Sequence, residues 1–328
     1  MDIIKKNNCY YNRRSRKKIR DIPLLNRIRS LRIPPAYTTV VISSNPDNKV
    51  QAIGIDNKDR KQYIYNKEHI DSQKKIKFGD LVYFGKKIKR IRKDMNRNIN
   101  SCIENNKNIM DLDSIISVIL YLVDRCNFRV GCDKYRNLYN TYGVTTLNKD
   151  HLKFNKNNIG ISFVGKKGVL NKDNINNDKI CSLLYRLSEI NDGEYLFNYR
   201  DNKNNEYHVT EKHINKYLKK YNKMLSVKMF RTWGANYMLL RELLKYDIPD
   251  SYSQAKKNVN YAVKKAALNM HHTPTVSKSS YMNNEIIDLY LDLENNRFYR
   301  MLEFFRKTNG KLPNIDRLLN LILQEINS

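Results

Sequence analysis

From residue 38 to about 84 short apolar, β-branched runs broken by polar turn clusters read as strands. Thr38-Thr39-Val40-Val41-Ile42 is β-branched, and a turn cluster follows at Ser43-Ser44-Asn45-Pro46-Asp47-Asn48. Val50 to Ile55 makes a second run. After Asp56-Asn57-Lys58-Asp59 a third spans Arg60 to Tyr65. These runs predict a small antiparallel sheet. A basic connector with Lys86, Lys87, Lys89, Arg90, Arg92 and Lys93 follows, and then the period of a helix takes over. Ile115, Ile116, Ile119, Leu120, Leu122 and Val123 place one helix over 111–126. Similar patterns cover 179–190, 211–225 and 232–246. Ser251-Tyr252-Ser253-Gln254 has the spacing of a capping box and should open another helix. Further helices are expected near 279–294, 296–307 and 314–326, and a β interruption at Ile159–Val169. The pattern is α+β: a small antiparallel β-sheet N-terminal domain, residues 1–80, followed by a larger mostly α-helical domain, residues 81–328, with a short β-hairpin.

Residues 1 to about 32 show neither pattern. The run Arg13-Arg14-Ser15-Arg16-Lys17-Lys18-Ile19-Arg20 suits a phosphate-binding arm, a localisation signal or a solvated tail. It belongs to a larger imbalance. Across 328 residues, 61 Lys and Arg face 33 Asp and Glu, a formal net charge of +28. Such an excess attracts a polyanion, with an affinity that falls as salt rises. A Lys- and Asn-rich coding bias explains the lysines better than it explains the arginine clusters. Hydrophobic residues make up 41%, enough for a core, but no apolar run is long enough for a membrane span. The N-terminus lacks a secretory apolar stretch, so an intracellular protein with no membrane partner is expected. Cys9, Cys102, Cys126, Cys132 and Cys181 are scattered without a Cys-x-x-Cys pair, and the histidines offer no metal box. No metal and no cofactor is expected.

Three stretches carry candidate chemistry. Gly160-Ile161-Ser162-Phe163-Val164-Gly165-Lys166-Lys167 matches the first part of a P-loop. Lys167, however, stands where Ser or Thr must hold magnesium, and Gly168-Val169-Leu170 looks like a returning strand. A hairpin tip fits better. The other two are Phe230-Arg231-Thr232-Trp233-Gly234-Ala235-Asn236-Tyr237 and His271-His272-Thr273-Pro274-Thr275-Val276-Ser277-Lys278-Ser279-Ser280-Tyr281-Met282. Taken singly, an Arg near a helix start, a surface His and a half-buried Tyr are ordinary.

Together they are not ordinary. The block at 272–282 and the Arg-Thr-aromatic-Gly-x-Asn-Tyr block at 231–237 resemble the poxvirus-like type IB DNA topoisomerases of large DNA viruses. Phe163-Val164-Gly165-Lys166 and Phe128-Arg129-x-Gly131 extend the likeness. Pro34-Pro35-Ala36-Tyr37 and Gln62-Tyr63-Ile64-Tyr65 look like that family's N-terminal domain. The order holds from about residue 25 to the C-terminus. The resemblance implies a helical catalytic domain of the tyrosine recombinase/topoisomerase IB type. It implies relaxation of supercoiled duplex DNA through a 3′-phosphotyrosyl intermediate, without ATP or metal. By motif, Tyr281 is the nucleophile and Arg129, Lys166, Arg231 and His272 complete the site. His272 is chosen over His271 by the following Thr-Pro, and Lys166 over Lys167 by its place after Gly165.

Two arginine forks suit the non-bridging oxygens of a pentacoordinate phosphorus. A lysine at a hairpin tip suits protonation of the leaving 5′-oxygen. Gln62, Tyr63, Tyr65, Lys134 and Tyr135 are implied as DNA contacts; Tyr63 and Tyr65 also suit a half-buried aromatic pair. Cys132 stands where the poxviral pattern has Lys, which puts the poxviral cleavage preference in doubt. The resemblance further implies double-stranded DNA as partner, a monomer clamping around the duplex, and work in the virion and at the viral replication site. A tyrosine recombinase shares the chemistry, but it usually carries His where this chain has Lys228, and its N-terminal domain is helical. A non-enzymatic DNA-packaging protein accounts for the charge but not for the separated catalytic-type residues.

Overall fold

The computed structural model describes residues 2–7, 9–104, 108–191 and 193–327. Strands β1 (Ile3–Lys6), β2 (Cys9–Asn12), β3 (Thr38–Ile42), β4 (Val50–Ile55) and β5 (Lys61–Tyr65) form one antiparallel sheet in the order β2-β1-β3-β4-β5. The last three strands lie where the predicted runs put them. The first two, with helix α1 (Ile22–Ser30), occupy the segment expected to be irregular. Four-residue strands carry too few apolar positions to show a period. Their evidence is three-dimensional: Ile3 and Ile28 are buried against Val40, Ile42 and Ala52. Asp21 caps α1, accepting from the Leu24 amide at 2.7 Å.

The second correction is larger. Helix α2 (Lys67–Glu104) runs 38 residues, and the basic connector is its middle. Phe78, Leu81, Phe84, Ile88, Ile91, Met95, Ile99 and Cys102 recur every three or four residues and are buried. The intervening Lys and Arg side chains on the outer face hid this stripe. The chain divides into two compact units between Lys77 and Phe78, inside α2.

The second unit is built around helix α3 (Leu112–Cys126), whose residues from Ser114 to Leu120 are all buried. Asp111 caps it, accepting from the Ser114 amide at 3.1 Å. Helix α4 (Asp133–Tyr139) follows a short loop. Strands β6 (Leu152–Asn155), β7 (Asn158–Val164) and β8 (Leu170–Ile175) form an antiparallel sheet in that order, so the expected hairpin gains a third strand. After helix α5 (Asp178–Ile190) come β9 (Asn198–Arg200) and β10 (Glu206–His208), a pair too short to show in the sequence.

Helices α6 (Glu211–Lys219), α7 (Lys228–Leu243) and α8 (Tyr252–Asn269) complete the middle of the unit. Helix α6 stops earlier, and α7 starts earlier, than the periodicity suggested. Ser251 caps α8, accepting from the Gln254 amide at 3.2 Å. The single helix expected at 279–294 is two, α9 (Pro274–Ser280) and α10 (Asn284–Leu291), because Asn283 opens a new helix by accepting from the Glu285 amide at 3.1 Å. Helices α11 (Arg297–Asn309) and α12 (Ile315–Ile326) finish the chain. Among the described residues no helix is long and apolar enough to cross a membrane.

One backbone contact bears directly on the site. The segment Arg129–Gly131 lies on Gly143, with the Val144 amide donating to the Arg129 carbonyl at 2.8 Å. A Cβ on Gly143 would lie 2.5 Å from the Gly131 nitrogen and 2.6 Å from the Arg129 oxygen. Backbone atoms cannot swing aside as a side chain does. Gly143→Ala is expected to destabilise the fold by about 1–3 kcal/mol, the usual range for overpacking. A lower urea midpoint with unchanged slope checks it; an unchanged midpoint would show that the Arg129 segment moves freely off residue 143.

Candidate active site

Three segments distant in sequence meet through aromatic packing. Phe128, fully buried, precedes Arg129 in the loop after α3. Its ring makes an edge contact with Phe163 of β7 at 4.9 Å and lies 5.3 Å from His271. Phe163 stands three residues before Lys166, and His271 is next to His272. Each ring therefore fixes the strand or loop that carries a candidate residue. His271 takes a left-handed conformation (φ 54°) after α8, a place usually filled by Gly or Asn. Its ring accounts for the choice: besides packing on Phe128, Nε2 lies 3.2 Å from the Cys126 carbonyl.

Lys166 sits at the tip between β7 and β8. The Gly165 amide donates to the Val169 carbonyl at 2.8 Å, and Lys167 and Gly168 take positive φ. The P-loop-like string is thus a strand and a tight single turn that leads straight into β8, as the sequence suggested. Lys166 is exposed.

The central contacts are short. Arg129 Nη2 is 2.8 Å from His272 Nε2 and donates to the Tyr281 hydroxyl at 3.3 Å. Arg231 Nη2 is also 2.8 Å from His272 Nε2 and donates to the Met270 carbonyl at 3.1 Å. Guanidinium groups only donate, so Nε2 accepts and the imidazole hydrogen sits on Nδ1. Ser277 Oγ, fully buried, lies 3.5 Å from Nδ1 and takes that hydrogen. The Tyr281 ring is 4.6 Å from the imidazole and 5.5 Å from the Arg231 guanidinium.

Arg231 is only 5% exposed, and among the described residues no geometric hydrogen bond reaches its Nε or Nη1. Burial and the charge of Arg129 lower its pKa to about 10. His272 falls to about 3 through burial and the charges of Arg231, Arg129, His271 and Lys166, so the imidazole is neutral near pH 7. Burial alone would raise the Tyr281 phenol, but Arg129 and Arg231 outweigh it and hold the phenol below its ordinary value. This is a concentrated cationic pocket beside a phenol oxygen. Its unused buried donors suit the oxygens of a phosphate.

The family described as eukaryotic DNA topoisomerase I, catalytic core, matches residues 61–297. The family described as bacterial DNA topoisomerase IB, N-terminal domain, matches residues 8–56. DNA topoisomerase 1B of Acanthamoeba polyphaga mimivirus is 35% identical over 306 residues, covering 91% of this chain and 86% of its own. DNA topoisomerase 1B of vaccinia virus (strain Copenhagen) is 25% identical over 317 residues, covering 94% and 91%. DNA topoisomerase I of monkeypox virus is 24% identical over 315 residues, with the same coverage.

The chain belongs to the type IB DNA topoisomerases.

A residue of the topoisomerase that the sequence reading passed over is Asn236. Fully buried on α7, it donates through Nδ2 to the Tyr281 carbonyl at 2.9 Å and to the Thr232 carbonyl at 2.7 Å, and its Oδ1 accepts from the Asn283 amide at 2.7 Å. It clamps the chain on both sides of Met282 and so fixes where Tyr281 leaves α9. A polar residue on the apolar stripe between Trp233 and Leu239 was the available signal.

The candidate DNA contacts are placed as follows. Tyr63 and Tyr65 share the exposed face of β5, with ring centroids 6.3 Å apart. Gln62 turns to the other face and donates to Asp56 Oδ2 at 2.8 Å. Lys134 and Tyr135 are exposed on α4. The opposite side of α4 is anchored by Arg136, which pairs with Glu194 and lies 4.7 Å over the Tyr195 ring, and by Asp133, 3.5 Å from His208 Nε2. Cys132 is exposed just ahead of them. Lys228, where recombinases usually have His, is exposed and pairs with Glu211 at 3.3 Å.

The neutral imidazole has a consequence for stability. His272 in the fold resists protonation down to about 3, while the unfolded chain takes up a proton near pH 6.5. Between those values the unfolded state binds more protons, so stability falls as pH drops below about 6.5. In His272→Gln this contribution is absent. The loss of urea midpoint between pH 7 and pH 5 should therefore be smaller in the variant than in the wild type. Equal losses would place an ordinary imidazole at 272.

Proposed function

We propose that this topoisomerase cleaves one strand of duplex DNA through Tyr281. The reading rests on one observation: the Tyr281 hydroxyl, two guanidinium groups and a neutral imidazole share a pocket with Arg129 3.3 Å from the phenol oxygen. The Tyr281 phenol gives up its proton to water as its oxygen attacks the phosphorus, and the bond from phosphorus to the DNA 5′-oxygen breaks. That oxygen leaves as a hydroxyl, with its proton supplied by Lys166. The product is a 3′-phosphotyrosyl bond. Attack of the same 5′-hydroxyl on this bond reverses every step, expels Tyr281 and reseals the strand. One phosphoester replaces another in each direction, so no ATP is consumed.

Arg129 and Arg231 turn their donors to the two non-bridging oxygens, where negative charge grows in the transition state. Loss of one such preorganised donor usually costs about 3–4 kcal/mol. His272, whose Nε2 accepts from both guanidinium groups, holds the two forks beside one another. The imidazole, neutral to about pH 3, is too weak a base to hold the phenol proton near neutrality. Between cleavage and resealing the free 5′ end rotates and releases supercoils.

The +28 charge supports duplex DNA as the partner. The exposed Tyr63, Tyr65, Lys134 and Tyr135, with Gln62 at the edge of its strand, are the residues we assign to gripping it. We further infer a monomer that closes around the duplex. Its viral relatives support work at the viral replication site and in the particle.

Tyr281→Phe is expected to abolish covalent attachment to supercoiled plasmid in EDTA without ATP, while plasmid binding stays near the wild-type level. Relaxation by the Phe variant would remove Tyr281 from the role. Lys166→Ala should slow cleavage, and a 5′ leaving group of lower pKa should restore most of the rate. If the better leaving group helps the variant no more than the wild type, Lys166 is not the proton donor.

A further inference from the structure

We propose that Asp316, in the first turn of the carboxy-terminal helix α12, is a positioning residue that sets where Arg231 presents its guanidinium. The proposal rests on the reading that Arg231 meets the scissile phosphate. Trp233 lies two residues beyond Arg231, about 200° around α7 at 100° per residue, so it holds the helix from the side away from the phosphate. The indole is 1% exposed, and its Nε1 donates to Asp316 Oδ1 at 2.7 Å. The other carboxylate oxygen of Asp316 accepts from Arg92 Nη1 at 2.7 Å. Arg92, on α2, is in turn held by Asp124 of α3, through Nε at 2.7 Å and Nη2 at 3.0 Å. Asp124 stands five residues ahead of Arg129. One carboxylate thus couples the helix that carries Arg231 to the helix that leads into Arg129.

The packing around the indole leaves it one seat. Phe84 of α2 lies 5.7 Å from Trp233 and meets Phe230 edge-on at 4.9 Å. A Cβ on Gly85 would lie 2.7 Å from Trp233 Cη2 and 2.2 Å from Asn320 Oδ1, so α2 has been cut back to admit the ring and α12 together. Without Asp316 the indole N–H is a buried donor with no acceptor, and the ring must shift to find one. Arg92 keeps Asp124. The disturbance therefore passes into α7, and a displacement of about 1 Å at a reacting centre is enough to cost about 100-fold in rate.

The test is single-turnover formation of the covalent adduct on plasmid DNA. Asp316→Ala is expected to slow it by about 10- to 100-fold with plasmid affinity held within about two-fold. Asp316→Asn, which still offers an oxygen to the indole, should recover most of the rate. Trp233 is the sole tryptophan, so its emission should change in Asp316→Ala and stay wild-type in Asp316→Asn. In an Arg231→Ala background, Asp316→Ala should cost no further rate, because the residue it positions is already gone. Wild-type cleavage by Asp316→Ala, or an equal loss with and without Arg231, overturns the proposal. Should Asp316→Ala fail to fold, Trp233→Phe removes the same hydrogen bond and carries the same cycle. Undiminished cleavage by Arg231→Ala is a different failure, one that sinks the active-site reading itself.

Discussion

Two guanidinium groups on one imidazole nitrogen, with no carboxylate between them, form the constraint that the catalytic unit has to satisfy. Among the described residues neither Arg129 nor Arg231 has an ion pair, and Arg231 is buried with two nitrogens unused. Like charges this close repel, and a buried cation without a counterion is among the more destabilising features a fold can hold. Such strain persists only where the surroundings over-determine it. The surroundings do so here. Phe128 is packed between Phe163 and His271, and the Arg129 segment is seated on Gly143. The cations are held by rings and backbone rather than by acids, which leaves their donors for an anion from outside.

Helix α7 concentrates this positioning. At 100° per residue, Arg231, Trp233 and Asn236 leave the helix in different directions. The first reaches His272, the second is hydrogen-bonded to Asp316 on α12, and the third clamps the chain on either side of Met282. An error in the rotation of α7 moves the arginine and the tyrosine together. This is why a string of seven residues carries so much of the family likeness. In the reaction we propose the Arg is chemistry, and the Trp and Asn are the fixings that give the Arg and Tyr281 their places.

Legibility in the sequence followed the length and cleanness of each pattern. Strands β3, β4 and β5 and helix α3 could be read from local pattern alone. The five reacting-site candidates could be named only because four short motifs occurred in a familiar order. Period fails where charge interrupts it, and α2 is the example. Its buried stripe from Phe78 to Cys102 was hidden among lysines and arginines. Strands of three or four residues, β1, β2, β6, β9 and β10, hold too little pattern for any period to emerge. The Asp316–Arg92–Asp124 chain was invisible for another reason: its members are up to 224 residues apart, and each reads alone as a solvated surface charge.

The unusual acidity of His272 fits the same logic. A protonated imidazole between Arg129 and Arg231 would add a third positive charge and drive the two forks apart. A neutral one supplies the single lone pair that both can share. In the reaction we propose, Nε2 of the free protein thus stands in for an oxygen of the phosphate. When a phosphodiester enters, the guanidiniums exchange a shared neutral acceptor for separate anionic oxygens, and charged acceptors make roughly twice the hydrogen bond that neutral ones do. That exchange is largest where charge is largest, at the pentacoordinate state rather than at the bound diester. On this proposal the pocket stays assembled without substrate and keeps its strongest interactions for the transition state.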